Sequence, residues 1–249
     1  MKRISKKLQA QADLTIEFVG DSVTHGLNHC RPEETYVAKF AALFAKEFHR
    51  YAVYRYDGIM ADEASPLKGF DGPTLVSLGE GQGKADIIKN GVGGNTVARA
   101  HKRIDDFTGV LANGKRPDVI FFMFGINDAL QADPKKYVSP DAFKENYRNL
   151  LDDVHARNSE ATLILMSATY NDQSVSAQCA RIEELAAERG LPYIDLHALW
   201  TSHFDPDADN FGQGEWLAGG TDACHPTPVG AECTAAYIVE EFLKLLTVS

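Results

Sequence analysis

The chain has 249 residues, 44% of them apolar, which is enough to bury a sizeable hydrophobic core. It carries 35 acidic against 25 basic residues, a net charge of −10, which argues against a surface for nucleic acid or for an anionic membrane. No stretch approaches the roughly 18 apolar residues of a membrane span, and residues 8–15 are too polar for a secretion signal. The four cysteines are widely spaced without a Cys-x-x-Cys pair, so we expect free thiols and a cytoplasmic location.

Apolar runs of strand length alternate along the chain with segments of helical periodicity. The predicted strands are 15–19, 85–89, 118–124, 161–167 and 192–196. The third and fourth are almost continuously apolar, as is typical of strands covered on both faces. The predicted helices are 34–48, 141–156, 173–189 and a last one from Thr227-Pro228 to about Leu246. This alternation favours an α/β fold in which a doubly wound parallel sheet lies between two helical layers.

Two stretches do not fit this repeat. Residues 50–83 could hold an extra hairpin, Tyr51–Asp57 against Thr74–Leu78, but their irregular pattern leaves the hairpin open. Residues 200–221 form a predicted loop rich in aromatic and acidic side chains. Because no repeat or linker divides the chain, we predict a single domain over residues 1–249 with insertions near 50–83 and 200–221.

A serine follows the first predicted strand, in the segment Phe18-Val-Gly-Asp-Ser-Val-Thr-His-Gly26. The change from apolar strand to Gly-Asp-Ser turn places Ser22 at the carboxyl edge of the sheet, where open α/β proteins build their sites. We interpret Asp21 as a turn or capping residue that supports Ser22. Gly-Asp-Ser is also ordinary turn chemistry, so the segment gains its weight only from those that follow.

A glycine-rich loop, Asn90-Gly-Val-Gly-Gly-Asn-Thr96, follows the second predicted strand and leads into a segment that could be helical. Glycines let the backbone approach a ligand and turn N–H groups toward a developing negative charge. The spacings of a phosphate-binding loop and of the dinucleotide fingerprint are both absent. Taken alone, the loop is better explained as a structural glycine turn.

The most apolar strand ends in Gly125-Ile-Asn-Asp128. At the carboxyl edge of the sheet, the Asn127 side chain can offer its NH₂ group to the same developing charge. Helix capping by Asn127 or by Asp128 is the alternative explanation.

The fourth segment, Thr221-Asp-Ala-Cys-His-Pro226, lies just before the last predicted helix. Asp222 and His225 are three residues apart in a predicted turn, where they can contact each other. The carboxylate can then fix the imidazole tautomer while the second ring nitrogen faces a nucleophile. An isolated Asp-x-x-His is common, so this pair also depends on the other segments.

Together the four segments resemble the SGNH branch of the GDSL esterase/lipase family, whose blocks carry Ser, Gly, Asn and His in this chain order. The matching residues are Ser22, Gly94, Asn127, and His225 with Asp222, and the blocks span residues 18–226. The resemblance implies the SGNH hydrolase fold, a five-stranded parallel sheet in the flavodoxin-like order 2-1-3-4-5.

The resemblance also implies a serine esterase that needs no cofactor or metal. Ser22 is then the nucleophile, His225 the general base and Asp222 the carboxylate that orients it. The backbone N–H groups of Ser22 and Gly94 and the Asn127 amide form the oxyanion hole. The Gly-x-Ser-x-Gly elbow of the α/β-hydrolases is absent.

Other groups are not interpreted as sites. His25 and His29 lack the glutamate of a His-Glu-x-x-His metal motif, although His25 could still line the pocket. Residues 205–210 resemble the start of a calcium loop, but the loop's glycine and its bidentate glutamate are missing. Cys224 is interpreted as a packing residue rather than a nucleophile.

The expected substrate is a small-molecule ester with a small acyl group, such as an acetylated saccharide. Polar residues 28–36 and the aromatic and acidic side chains of 200–221 could contact sugar rings, as in the intracellular carbohydrate acetylesterases that the chain resembles. The alternatives are a lysophospholipase or thioesterase of broader acyl preference, and a non-catalytic binding module on the same fold. We expect no nucleic-acid or membrane partner, and a homo-oligomer is compatible with the sequence.

Overall fold

The structure is a computed structural model that describes residues 1–27, 30–60, 67–169, 173–203, 216–219 and 222–247. Within these residues, the central sheet has seven strands in the order β3-β2-β4-β1-β5-β6-β7. The strands are β1 Leu14–Gly20, β2 Tyr51–Met60, β3 Leu67–Ser77, β4 Gly83–Gly91, β5 Val119–Met123, β6 Thr162–Met166 and β7 Tyr193–Ile194. Neighbouring strands are parallel except β3, which runs antiparallel to β2. A separate antiparallel pair consists of β8 Leu217–Gly219 and β9 Asp222–Pro226.

All five predicted strands are present, and they lie in the predicted order 2-1-3-4-5. The predicted number of five strands was wrong, because the insertion at 50–83 adds β2 and β3 to one edge of the sheet. Strand β2 pairs in parallel with β4, and β3 folds back on β2 as a hairpin. Register shifts at three places between β2 and β3 break the two-residue alternation, which explains why the sequence pattern was too irregular to assign.

Helices cover both faces of the sheet, and the four predicted ones are confirmed. The helices are α1 Lys2–Gln9, α2 Ser22–His25, α3 Tyr36–Glu47, α4 Val97–Lys102, α5 Asp105–Thr108, α6 Pro140–Arg157, α7 Gln173–Arg189, α8 Leu196–His203 and α9 Pro228–Thr247, with a 3-10 turn at Pro32–Glu34. Apolar side chains of α1, α3 and α9 pack on one face, and those of α4, α6 and α7 on the other. None of the helices in the described ranges is long and apolar enough to cross a membrane.

Aromatic packing fixes the central strands against the first helical layer. Phe18 of β1 stacks on Phe121 of β5, with ring centroids 4.6 Å apart and an interplanar angle of 5°. Phe40 of α3 meets the edge of both rings, at 4.8 Å and 5.9 Å. All three side chains are fully buried, so β1, β5 and α3 share one rigid cluster directly beneath the end of β1.

The ends of β1, β4 and β5 lie in register at one edge of the sheet. Gly20 pairs with Gly91 on one side and with Met123 on the other. Neither glycine has room for a side chain. A Cβ at Gly91 would lie 2.2 Å from the His25 nitrogen, and one at Gly20 would lie 2.1 Å from the Thr24 hydroxyl. The short helix α2 therefore rests directly on the strand ends.

Replacement of Gly91 by alanine should lower the free energy of unfolding by about 2–3 kcal/mol, the upper range for overpacking, because the clash is with backbone atoms of α2. Urea denaturation followed by circular dichroism measures this loss. Gly109→Ala is the control, since the nearest atom to its new Cβ is 3.2 Å away. Equal stability of the two variants would contradict the close contact between α2 and β4.

Candidate active site

Ser22 is the first residue of α2 and lies two residues after the end of β1. The Asp21 carboxylate accepts a hydrogen bond from the Val23 N–H at 3.0 Å and so caps this short helix, which confirms the interpretation of Asp21. Ser22 is 8% exposed, which places its hydroxyl at the boundary between the core and the carboxyl edge of the sheet. The turn is thus fixed on its N-terminal side by the buried Asp21 side chain and on its C-terminal side by the contacts of α2 with the strands.

The glycine-rich loop after β4 is tied to the end of β1. The Val92 N–H donates to the Gly20 carbonyl at 3.1 Å, and the Asn95 N–H donates back to Val92 at 3.2 Å. Gly94 then adopts a φ of +68°, a left-handed conformation that glycine reaches without strain. Among the described residues, the N–H groups of Gly94 and Ser22 have no acceptor.

Asn127 lies four residues beyond β5 and contacts the same loop. Its side-chain NH₂ group donates to the Asn95 carbonyl at 3.1 Å, and the residue is 8% exposed. Its neighbour Asp128 accepts the Val97 N–H at 3.2 Å and 3.3 Å, one distance for each carboxylate oxygen. Asp128 thus holds the first residue of α4, whose N-cap is Thr96, while Asn127 joins the loops that follow β4 and β5.

The strand β9 brings His225 to this edge from the far end of the chain. It contacts α2, and the Cys30 thiol donates to the Pro226 carbonyl at 3.3 Å. His225 is close enough to Asp21 for its charge to lower the pKa of that carboxyl. Asp222 is the first residue of β9, and its side chain lies outside what the structure describes. Four separate segments of the chain thus meet around Ser22.

Two buried carboxyl groups under the site have raised pKa values. Burial raises the pKa of Asp21 to about 6, against the opposing effects of the Val23 N–H and of His225. Burial, together with the nearby charge of Asp21, raises the pKa of Asp128 to about 8 despite its hydrogen bond from Val97. At neutral pH the pair therefore carries mainly one negative charge, on Asp21, where it faces His225 and the Asn127 amide.

A buried polar network behind the glycine-rich loop was not predicted. The Arg103 guanidinium donates to the Asn90 side-chain oxygen at 2.5 Å, and the Asn90 NH₂ group donates to the Glu17 carboxylate at 2.9 Å. With the Asn95 amide turned so that its oxygen faces the guanidinium, Arg103 Nε also donates to it at 2.9 Å. The signal in the sequence was Glu17 itself, a charged residue within an otherwise apolar strand.

The structure describes only some of the residues considered as metal ligands. In the described part of the chain, no three His, Cys, Asp or Glu residues lie close enough together to hold a metal ion. His29 and the acidic segment 205–210 lie outside that part. The His25 ring instead lies beside β4, with Nδ1 at 3.3 Å from the Gly91 carbonyl.

Comparison with known protein families matches residues 69–233 to the GDSL-like lipase/acylhydrolase family, about two-thirds of the chain. The chain belongs to the GDSL-like lipase/acylhydrolase family. The matched range contains Gly94, Asn127, Asp222 and His225, whereas Ser22 precedes it. A comparison with curated proteins found no match.

Solved structures share the GDSL fold over most of this chain. A two-domain esterase active on acetylated mannans, crystallised with mannopentaose, has a TM-score of 0.66 and 19% identity, and it covers 99% of this chain. This chain spans about half of that protein's length, 54%. An acetyl xylan esterase has a TM-score of 0.64 and 18% identity over 91% of this chain and 98% of its own. A catalytic mutant of an acetylxylan esterase from Geobacillus stearothermophilus has a TM-score of 0.59 and 19% identity, over 92% and 93%. At these identities the likeness shows a common fold.

The raised pKa of Asp21 has a consequence for stability. Its ordinary value is 3.8 and its folded value is about 6, so the folded state binds the proton more tightly and loses stability as pH rises from about 4 to 6. Asp21→Asn removes this effect. We expect its stability relative to wild type to rise by up to about 3 kcal/mol between pH 4 and pH 7, measured by urea denaturation.

Asp13→Asn is the control of opposite sign. A hydrogen bond from Lys115 lowers the pKa of Asp13, so its ionised form stabilises the folded protein. The stability of this variant relative to wild type should fall as pH rises to about 4, and it should stay nearly constant from pH 4 to pH 7. A pH-independent difference for Asp21→Asn would contradict a perturbed carboxyl at this position.

Proposed function

We propose that this protein is a serine esterase that hydrolyses small-acyl, most simply acetyl, esters of carbohydrates. The observation that carries the proposal is the convergence of four segments at one sheet edge. Ser22, Gly94 and Asn127 follow three strands that end in register, and β9, which carries His225, contacts α2. Family membership supplies the class of reaction.

The assigned roles follow from residue chemistry. The Ser22 hydroxyl attacks the acyl carbonyl while His225 takes its proton, and His225 later gives that proton to the leaving alcohol. Asp222 orients the His225 ring and stabilises its charged form without being protonated itself. Water then hydrolyses the acyl-enzyme by the same route and releases the acid.

The oxyanion of each tetrahedral intermediate is assigned to three donors, the N–H groups of Ser22 and Gly94 and the Asn127 side chain. Support comes from the Gly20–Val92 hydrogen bond, which holds the loop of Gly94 against the end of β1, and from the Asn127–Asn95 hydrogen bond at 3.1 Å. Donors fixed in this way need little reorganisation when charge develops.

The substrate class rests on likeness to solved structures. Solved structures of the same fold are named as esterases of acetylated mannan and xylan. Within the predicted loop of 200–221, Trp200 and Trp216 are buried and pack against each other with ring centroids 5.4 Å apart, so these two aromatic side chains do not support sugar contact. A lysophospholipase or thioesterase of broader acyl preference is the competing outcome of the experiment below.

Hydrolysis of p-nitrophenyl acetate, butyrate and octanoate by wild type and Ser22→Ala tests the proposal. We expect kcat/KM to fall with acyl length and the activity to vanish in the variant, since no other group replaces the nucleophile. A preference for octanoate would favour lipid or thioester substrates instead. Equal activity of wild type and Ser22→Ala would overturn the assigned nucleophile.

Asn127→Ala tests the oxyanion hole. Loss of one donor should lower kcat by about 10²–10³-fold with a smaller change in KM, because the donor acts on charge that develops only in the transition state. Asn149→Ala, on the exposed surface of α6, is the matched control and should keep wild-type kinetics. A change in KM alone would assign Asn127 to substrate binding.

A further inference from the structure

A cavity of about 390 Å³ lies between the end of α2, strand β4 and the β2–β3 hairpin. Its lining includes His25, Asp57, Ile59, Met60 and Lys89. Asp57, Ile59 and Met60 come from the hairpin that the insertion at 50–83 adds to the sheet. The volume is within the range of small-molecule sites, roughly 300–1,000 Å³.

The cavity adjoins the candidate nucleophile and the candidate oxyanion loop. His25, in its wall, lies three residues after Ser22 on α2, about 4.5 Å along the helix axis. Met60, in the opposite wall, accepts the Gly93 N–H at its sulfur at 2.9 Å, and Gly93 precedes Gly94. One part of a substrate can therefore occupy the cavity while its ester group lies at Ser22.

The polar groups of the lining are buried but incompletely hydrogen-bonded. Lys89 is 3% exposed, and its ammonium donates to the His25 carbonyl at 3.0 Å. Asp57 is 8% exposed, with one carboxylate oxygen accepting from Arg55 at 2.8 Å. The other oxygen lies 3.3 Å from the Lys89 nitrogen as an ion pair, yet no described residue donates a hydrogen bond to it. A ligand hydroxyl that reaches this carboxylate from the cavity can supply the missing hydrogen bond.

The charges around the cavity do not favour an ionic ligand. Asp57 pairs with both Arg55 and Lys89, and Asp71 of the hairpin adds a second negative charge to the lining. Burial, and the nearby charge of Lys89, lower the pKa of His25, which keeps its ring neutral at pH 7. The lining also has apolar side chains, among them Leu27, Ile59 and Met60. A ligand with several hydroxyls on a carbon ring can donate to Asp57 and accept from Lys89 while its carbon atoms pack on these side chains.

We propose that this cavity binds the leaving-group side of the ester, a hydroxyl-rich uncharged alcohol such as a saccharide unit, through Asp57 and Lys89. The inference rests on the proposed function, because it takes Ser22 as the point of attack. It assigns selectivity for the alcohol to the inserted hairpin rather than to the strands that carry the catalytic groups.

The test fills the cavity without removing its charges. Ile59 is 44% exposed and lines the cavity, and Leu75 is 49% exposed on β3 outside it, so Ile59→Trp and Leu75→Trp form a matched pair. The measured quantity is kcat/KM for a mono-O-acetyl methyl xyloside divided by kcat/KM for ethyl acetate. We expect this ratio to fall at least tenfold in Ile59→Trp, mainly through KM for the xyloside, and to stay within about twofold in Leu75→Trp.

Asp57→Asn tests the hydrogen-bonding role and should lower the same ratio, with thermal unfolding measured in parallel. If this buried variant fails to fold, Ile59→Trp at its exposed position still decides the question. An unchanged ratio in Ile59→Trp, while hydrolysis still requires Ser22, would overturn the inference and leave the proposed function intact. If Ile59→Trp lowers kcat/KM for ethyl butyrate relative to ethyl acetate and leaves the xyloside ratio unchanged, the cavity would bind the acyl group. That result would also overturn the inference. Activity independent of Ser22 would overturn both.

Discussion

The close packing of α2 on the ends of β1 and β4 is the constraint on which the rest of the site depends. Gly20 and Gly91 pair with each other, and each leaves less than 2.5 Å between a hypothetical Cβ and an atom of α2. A side chain at either position would push α2 away from the sheet. The close backbone contact therefore fixes the position of Ser22, which follows the Gly-Asp turn. The loop after β4 is then close enough for Val92 to bond to the Gly20 carbonyl.

Buried polar groups hold the loops of that edge in place. Asn95 is bonded from two directions, by Asn127 on the side of β5 and by Arg103 from behind, and Asp128 fixes the start of α4. Charges buried at this depth are costly unless they are compensated, and removal of one partner commonly costs about 3–5 kcal/mol. The network therefore favours one conformation of the glycine-rich loop. Burial also raises the pKa values of Asp21 and Asp128, so the polar groups that hold the loops lie in the same low-dielectric environment as the site.

The hairpin adds a different kind of element to this scaffold. Its first strand belongs to the parallel sheet, while its second strand is antiparallel and its outer face is largely exposed. Such an extension can change without disturbing the strands that position Ser22, Gly94 and Asn127. The division we propose, with reactive groups on a rigid sheet edge and selectivity on an added element, is a general way for one fold to serve several substrates. The buried Lys89 lies where the two parts meet, since β4 pairs with both β1 and β2.

The sequence by itself determined the layered α/β architecture, the five main strands and the four long helices, because buried parallel strands and amphipathic helices leave periodic apolar patterns that need no tertiary information. It also singled out five candidate site residues, by their positions after strands and before the last helix and by their resemblance to the SGNH blocks. It could not determine the seven-stranded sheet, since the bulged hairpin of β2 and β3 has no regular alternation. The Glu17–Asn90–Arg103 network and the Asp57–Lys89 pair were likewise decided only by the tertiary structure. These contacts join residues from separate strands and helices, and no local pattern in a chain specifies which distant charge a buried side chain will meet.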